Sequence, residues 1–221
     1  MRYTIIASAN SNSVLSAVKS EFGEDNVIND YFDTKTSEYV VEISDNVSTL
    51  PALKIDEIKT AKFLNFYNID TIDNEFFNSC DNLLKIDLSG IKNIKTIRNW
   101  FLKDCTNLEN IILPNLQQVE SISSMFMKNA AINKDIDTID LSSMTNVKTL
   151  DAEFLNNVKF KNIILPQQSK IEIVPYGFLI NCVNIKTLDL SLLSNCTSIG
   201  NAFLSGATSL ESIDLTPLSN V

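Results

Sequence analysis

Residues Phe101–Met125 read FLKDCTNLENIILPNLQQVESISSM, and the apolar positions inside this stretch return along the chain. After Phe101 come Cys105, Leu108, Ile111, Leu113, Leu116, Val119 and Ile122. From Phe178 the same positions hold Cys182, Ile185, Leu188, Leu190, Leu193, Cys196 and Ile199. From Phe76 they hold Cys80, Leu83, Ile86, Leu88, Ile91, Ile94 and Ile97. Phe76, Phe101, Phe126, Phe154, Phe178 and Phe203 are separated by 25, 25, 28, 24 and 25 residues. The long interval predicts an insertion near Ala131–Asp135, in a loop where added length costs little. Upstream, Ile58, Ala61, Phe63, Phe66, Ile69 and Ile72 keep the spacing in degenerate form. Such a period predicts a solenoid of about seven rungs, each 24–28 residues, beginning near residue 56. One rung cannot bury its own apolar faces, so stacking must supply the core.

The pattern L-x-x-I-x-L followed by L-x-x-V-x-x-I resembles a leucine-rich repeat, and more narrowly the BspA-like (Treponema pallidum-type) class. The resemblance covers roughly residues 57–221. It implies a mainly-β or α/β leucine-rich-repeat solenoid and a non-enzymatic binding role, with adhesion to a host or matrix protein as its specific form. It also implies a cell surface, if the chain is a fragment. The first nine residues hold too short an apolar run for a signal peptide, so the chain by itself reads as cytoplasmic.

Composition narrows the chemistry. The chain has 18 Lys+Arg against 27 Asp+Glu, a net charge of −9, and no histidine. Phosphate neutralisation needs clustered basic side chains, so a nucleic-acid partner is not expected. Without histidine, Ser-His-Asp and Cys-His nucleophiles and His-based metal sites are gone. Five scattered glycines make no phosphate loop, and no apolar run is long enough for a membrane span. No cofactor and no metal are expected. Asn46-Val-Ser48 and Asn195-Cys-Thr197 fit the glycosylation pattern, as chance would supply in a chain this rich in Asn, Ser and Thr.

Residues 1–55 lack the repeat and are assigned to an N-terminal α+β capping region, with 56–221 as the solenoid. Arg2–Ala7 reads as a strand. Ser13–Phe22 reads as a helix with apolar Val14, Leu15, Val18 and Phe22, stopped by Gly23. Asn26–Phe32 and Glu38–Ile43 read as a hairpin. A cap covering the first rung is one reading; a separate functional module is the other.

Equivalent positions on successive rungs form columns about 4.8 Å apart. On the expected concave face one column reads Lys62, Asp87, Ile112, Asp140, Ile164, Asp189, Asp214. Its neighbour reads Thr60, Lys85, Asn110, Thr138, Asn162, Thr187, Ser212. A third column, Leu64, Ser89, Pro114, Ser142, Pro166, Ser191, Thr216, makes two rung types alternate over much of the array, I-D-L-S and I-I-L-P. The face is acidic with exposed Ile112 and Ile164. It suits a protein or glycan partner presenting a basic, partly apolar surface, or it merely solvates the sheet. An intracellular scaffold is the alternative role. Asp70, Lys95, Glu120, Lys148 and Glu172 form a column of alternating charge that favours one register.

Cys80, Cys105 and Cys182 share a column with Ala130, Val158 and Ala207, as small buried residues do; Cys196 replaces Val119 and Val147. A Cys80–Cys105 disulfide is geometrically conceivable on adjacent rungs. Asp189 and Asp214, on neighbouring rungs, raise two further readings: a carboxylate hydrolase, and a weak calcium site with Thr187 or Thr216. Finally, Leu210, Ile213, Leu215, Leu218 and Val221 would form an apolar end with no cap. Three readings stand for it: a longer natural array, a homodimer through this end, or a frayed last rung.

Overall fold

The computed structural model describes residues 2–8, 11–133 and 136–221. The N-terminal region opens with β1 (Arg2–Ser8) and α1 (Ser11–Phe22). Helix α1 buries Val14, Val18 and Phe22 on one face and stops at Gly23, whose φ of 86° and ψ of 140° are a conformation that side-chain-bearing residues avoid. The Gly23 N–H donates to the Lys19 carbonyl at 3.0 Å, which closes the last helical turn. β2 (Val27–Asp33) and β3 (Glu38–Ser44) follow as an antiparallel hairpin. These elements match the sequence expectation within one or two residues.

Short strands then alternate along the chain. β4 (Thr49–Leu50), β6 (Thr71–Ile72), β8 (Thr96–Ile97), β10 (Ser121–Ile122) and β12 (Thr149–Leu150) form one parallel sheet. The longer face is built from β5 (Thr60–Leu64), β7 (Lys85–Asp87) and β9 (Asn110–Ile112), parallel and in register. β1 pairs antiparallel with both β3 and β5. The N-terminal hairpin and the first three rungs are therefore one sheet, ordered β2-β3-β1-β5-β7-β9. The stack also reaches into the segment assigned to the cap, since β4 already belongs to the short-strand sheet.

Both faces break further along. β11 (Thr138–Asp140) and β13 (Asn162–Ile164) form a separate pair, with no pairing described between β9 and β11. The 28-residue rung lies at this break. Ala131–Asn133 are in a turn there, while Lys134 and Asp135 fall outside the described residues. Ile111 and Leu113, whose counterparts Ile86 and Leu88 are buried, are only partly so. On the other face β14 (Ile173–Val174) and β15 (Ser198–Ile199) pair with each other and not with β12. Residues 187–189 and 212–214 are not strands. They lead into single 3-10 turns at Ser191–Leu193 and Thr216–Leu218. The expectation of one continuous concave sheet is corrected to that extent.

The core is a ladder of aromatic rings. Phe76, Phe101, Phe126, Phe154, Phe178 and Phe203 stack face to face, with successive centroids 5.8, 5.1, 5.4, 5.7 and 5.7 Å apart. Around each Phe the backbone alternates in handedness; Trp100, Leu102 and Asp104 have φ of 68°, 51° and 58°. Their N–H groups donate in turn to Ser124 on the next rung, Phe76 on the previous one and Lys128 on the next. L-residues resist this conformation by about 1–2 kcal/mol each, so the inter-rung bonds and the ring stack must hold it. Gly177 and Gly206 occupy two of these columns with φ of 71° and 78° and without that penalty.

The ladder predicts unequal costs for one substitution. Phe126→Ala, with stacked rings on both sides, should destabilise by about 3–5 kcal/mol. Phe203→Ala, partly exposed and stacked on one side only, should cost distinctly less. Urea unfolding followed by the single tryptophan, Trp100, measures both; equal losses would contradict the stack.

Candidate functional site

The column expected to face solvent does so. Lys62, Asp140, Asp189 and Asp214 are exposed and Asp87 is half-buried, while their chain neighbours Ala61, Phe63, Ile86, Ile139 and Leu188 are buried. Ile112 is 46% and Ile164 44% exposed. In the adjacent column Lys85, Asn110, Thr138, Asn162, Thr187 and Ser212 are all exposed. The structure spreads these residues over two separate strand groups and two unpaired segments. No single concave pocket gathers them.

The aspartates have a second task that the sequence reading missed. Each accepts, through Oδ1, the backbone N–H two residues ahead: Ser89 to Asp87 at 2.9 Å, Ser142 to Asp140 at 2.9 Å, Ser191 to Asp189 at 2.8 Å and Thr216 to Asp214 at 2.8 Å. This is the Asx turn, in which a carboxylate mimics a backbone acceptor as the chain leaves the strand. Of the three other rungs, two have Pro114 and Pro166 where these donors stand, and the first has Leu64, still within β5. Proline carries no N–H, so no acceptor is needed. The two rung types, D-L-S and I-L-P, are thus two answers to one amide. The turn requires the aspartates; it requires nothing of Ile112 and Ile164.

The turn bonds also set the ionisation of the carboxyls. Hydrogen bonds from Ser191, and a further one from Gln167 Nε2 to Oδ2 at 2.7 Å, hold Asp189 below the usual carboxylate range. The Thr216 N–H holds Asp214 down in the same way, against a small opposing push from Asp189. For Asp87 burial pushes upward, but the Ser89 bonds and the Lys62 ammonium, 3.7 Å away, leave the carboxyl below its ordinary value. A general acid needs the opposite shift. Asp189 and Asp214 do line a common shallow cleft with Thr187 and Ser212. Among the described residues no group of three or more His, Cys, Asp or Glu side chains could hold a metal.

All four cysteines are free and buried. Burial pushes the Cys80 and Cys196 thiols up to about 11 and Cys182 to about 12. They are packing residues, and the conceivable Cys80–Cys105 disulfide is not formed. In the charge column, Lys95, Glu120 and Lys148 donate their N–H groups to Asp70, Lys95 and Glu120, which shows the expected register. Of its side-chain pairs, Lys148–Glu120 closes at 2.8 Å.

Two asparagine columns were also missed. The side-chain amides of Asn82, Asn107 and Asn184 each donate to a carbonyl one rung back, at 2.8–2.9 Å. Asn68, Asn93, Asn146, Asn195 and Asn220 do the same in a second column. Their signal was present as asparagines recurring near the repeat spacing. A third omission is a cleft of about 820 Å³ between β12 and β14. In the column after the short strand, the N–H groups of Asp73, Arg98, Ser123, Asp151 and Gly200 each donate to the preceding rung. Pro175 takes that position in its own rung and has no N–H to give. The ladder opens there and leaves Ile173 64% exposed. Backbone bonds from Lys170 to Val147 and from Glu153 to Tyr176 close the slot at either end.

At the far end, Leu215 and Val221 are more than half exposed, while Leu210, Ile213 and Leu218 are partly buried. No helix among the described residues is long and apolar enough to cross a membrane.

The amide argument yields a double-mutant cycle. Asp140→Ile alone strands the Ser142 N–H and should cost about 1 kcal/mol. Adding Ser142→Pro removes the orphaned donor and reproduces the I-L-P rung, so the pair should recover most of that loss. Additive destabilisation by chemical denaturation would refute the assignment.

With this geometry in hand, the comparisons are specific for architecture. The fold is similar to the crystal structure of a leucine-rich repeat protein from Bacteroides ovatus, with a TM-score of 0.58 and 18% identity. The match covers 86% of this chain and 44% of that one, so the chain spans less than half of that protein's length. No curated protein matches. The sequence profile of the BspA type leucine-rich repeat region matches residues 26–145 and 132–221, in six copies. With that profile spanning well over half of the chain, the chain belongs to the BspA-type leucine-rich repeat family.

Proposed function

We propose that the protein is a non-catalytic recognition module whose long-strand face binds the surface of another protein, or of a glycan. One observation carries this reading. Ile112 and Ile164 are nearly half exposed at positions where the fold asks only for a residue beside a proline turn. A polar side chain there would satisfy the structure equally well. An exposed isoleucine flanked by carboxylates instead fits a partner with apolar side chains set among basic ones. Asp87, Asp140 and Asp189 each spend Oδ1 on their own turn, while Oδ2 meets Lys62 in Asp87 and Gln167 in Asp189. Adhesion to a matrix or host protein is the specific form of this function.

The turn bonds change how the face is tested. Reversing the charge of Asp87, Asp140, Asp189 or Asp214 would remove a turn acceptor along with the charge, so a loss of binding would be ambiguous. Asp→Asn keeps the Oδ1 acceptor and removes only the charge. The cleaner probe is the Ile112→Ser, Ile164→Ser double variant, whose stability should stay within about 0.5 kcal/mol because both sites are exposed. Surface plasmon resonance against a panel of immobilised matrix and serum proteins, with a glycan array beside it, should show a ligand bound by the original chain. The double variant should lose that ligand at least tenfold. Undiminished binding by the variant would move the site off this face.

A further inference from the structure

The six-stranded sheet ends at β2 (Val27–Asp33), and no described strand pairs with its outer edge. Natural edge strands are usually short, or guarded by charged side chains (lysine above all), by proline or by bulges. β2 is seven residues long and contains neither lysine nor proline. Its bulge is confined to the start, and its charges are two aspartates, which turn away another acidic strand but not a basic one. It exposes three large apolar side chains, Ile28 at 46%, Tyr31 at 48% and Phe32 at 49%. A bulge sets Ile28 apart, because the register passes from Val27–Ile43 directly to Asn29–Glu42. From Asn29 to Asp33 the register with β3 is unbroken, so this segment is held extended with one edge bonded and the other open.

Charge says what could pair there. Residues 21–42 carry seven carboxylates and one lysine. A second copy of the chain would bring two such segments together, and like charges across a strand pair repel. Within β2 the side chains alternate in face. Asp30 and Phe32 share one face; Tyr31 and Asp33 share the other. Each face thus offers one carboxylate and one aromatic ring. Asp30 already accepts the Tyr39 hydroxyl on Oδ2, which steadies the carboxylate and leaves Oδ1 for a cation.

We propose that β2 is a docking edge for an extended segment of a partner protein, which adds a strand to the six-stranded sheet. The matching segment has the order basic–apolar–apolar–basic. Two cations lie across from Asp30 and Asp33, and two apolar side chains lie across from Tyr31 and Phe32. Main-chain hydrogen bonds to β2 supply the affinity and the side-chain order supplies the choice, as in other strand-addition complexes. This edge lies at the opposite side of the sheet from β9 and Ile112, and the inference does not rest on the reading of that face.

The test uses the full chain and a labelled peptide, Thr-Val-Lys-Val-Val-Lys-Val-Thr, followed by fluorescence anisotropy. Its central Lys-Val-Val-Lys reads alike in both directions, so parallel and antiparallel docking are both sampled. Saturable binding is expected, weakened at least tenfold by Tyr31→Lys and by N-methylation of alternate peptide amides, and weakened also by Asp33→Asn, which removes the charge but keeps the Oδ1 acceptor of the Lys35 N–H. Replacing both peptide lysines with glutamate should abolish it, and Ile112→Ser should leave it unchanged. All three protein substitutions are at solvent-accessible positions, and circular dichroism confirms that each variant is folded. Absence of saturation, or equal binding of the N-methylated or glutamate peptide, would overturn the proposal. So would a concentration-dependent dimer of the chain alone that Tyr31→Lys dissolves, since the occupant would then be a second copy.

Discussion

Backbone amides that point from one rung to the next need an acceptor there, and each one that is buried and left unpaired would cost a substantial part of a small domain's stability. Most of the regularities of this chain follow from how that demand is met. On the two sheet faces the ladder bonds meet it. Around the phenylalanines it is met by residues of alternating handedness that donate forward and backward in turn. Where the chain leaves the long strand, an aspartate supplies the acceptor or a proline removes the donor. Two asparagine columns tie down carbonyls that the ladders do not reach.

The same demand explains where the array is irregular. Pro175 lacks the N–H that five other rungs use, and the short-strand sheet divides there. The long rung separates β9 from β11, and Ile111 and Leu113 lose part of their cover. The stacked rings run through both breaks without interruption, with centroid spacings of 5.4 and 5.7 Å across Phe126–Phe154 and Phe154–Phe178. The core therefore holds the array together at places where the sheets do not. Local openings along an otherwise packed stack are also where surfaces become available without loss of the fold.

The fold was legible in the sequence because its cause is periodic. A buried position repeats every 24–28 residues, and a Phe, Cys or Leu at that position cannot be anything but core over so many rungs. The cap elements were legible for a local reason, the apolar face of Ser11–Phe22 and the helix-stopping Gly23. The pairing of β1 with β5 was not, because antiparallel partners distant in sequence leave no mark in either strand. The columns of Asp and Ile were seen, but the aspartates looked like surface charge. Their bond to the second residue ahead becomes visible only when Ser89 and Pro114 are compared as donor and non-donor. Recognition surfaces are harder still, since an exposed Ile112 and a buried Ile111 are the same residue type in adjacent positions.

Native-state hydrogen exchange on the intact chain reads the inter-rung amide constraint residue by residue. The amides of Lys95, Glu120 and Lys148 each donate to the preceding rung, whereas Glu172, the next member of that column, falls at the slot beside Pro175. Strong protection at the first three and fast exchange at Glu172 and Ile173 is the predicted result. Uniform protection along the column would mean that the ladder is unbroken and that proline does not decide where the rungs part.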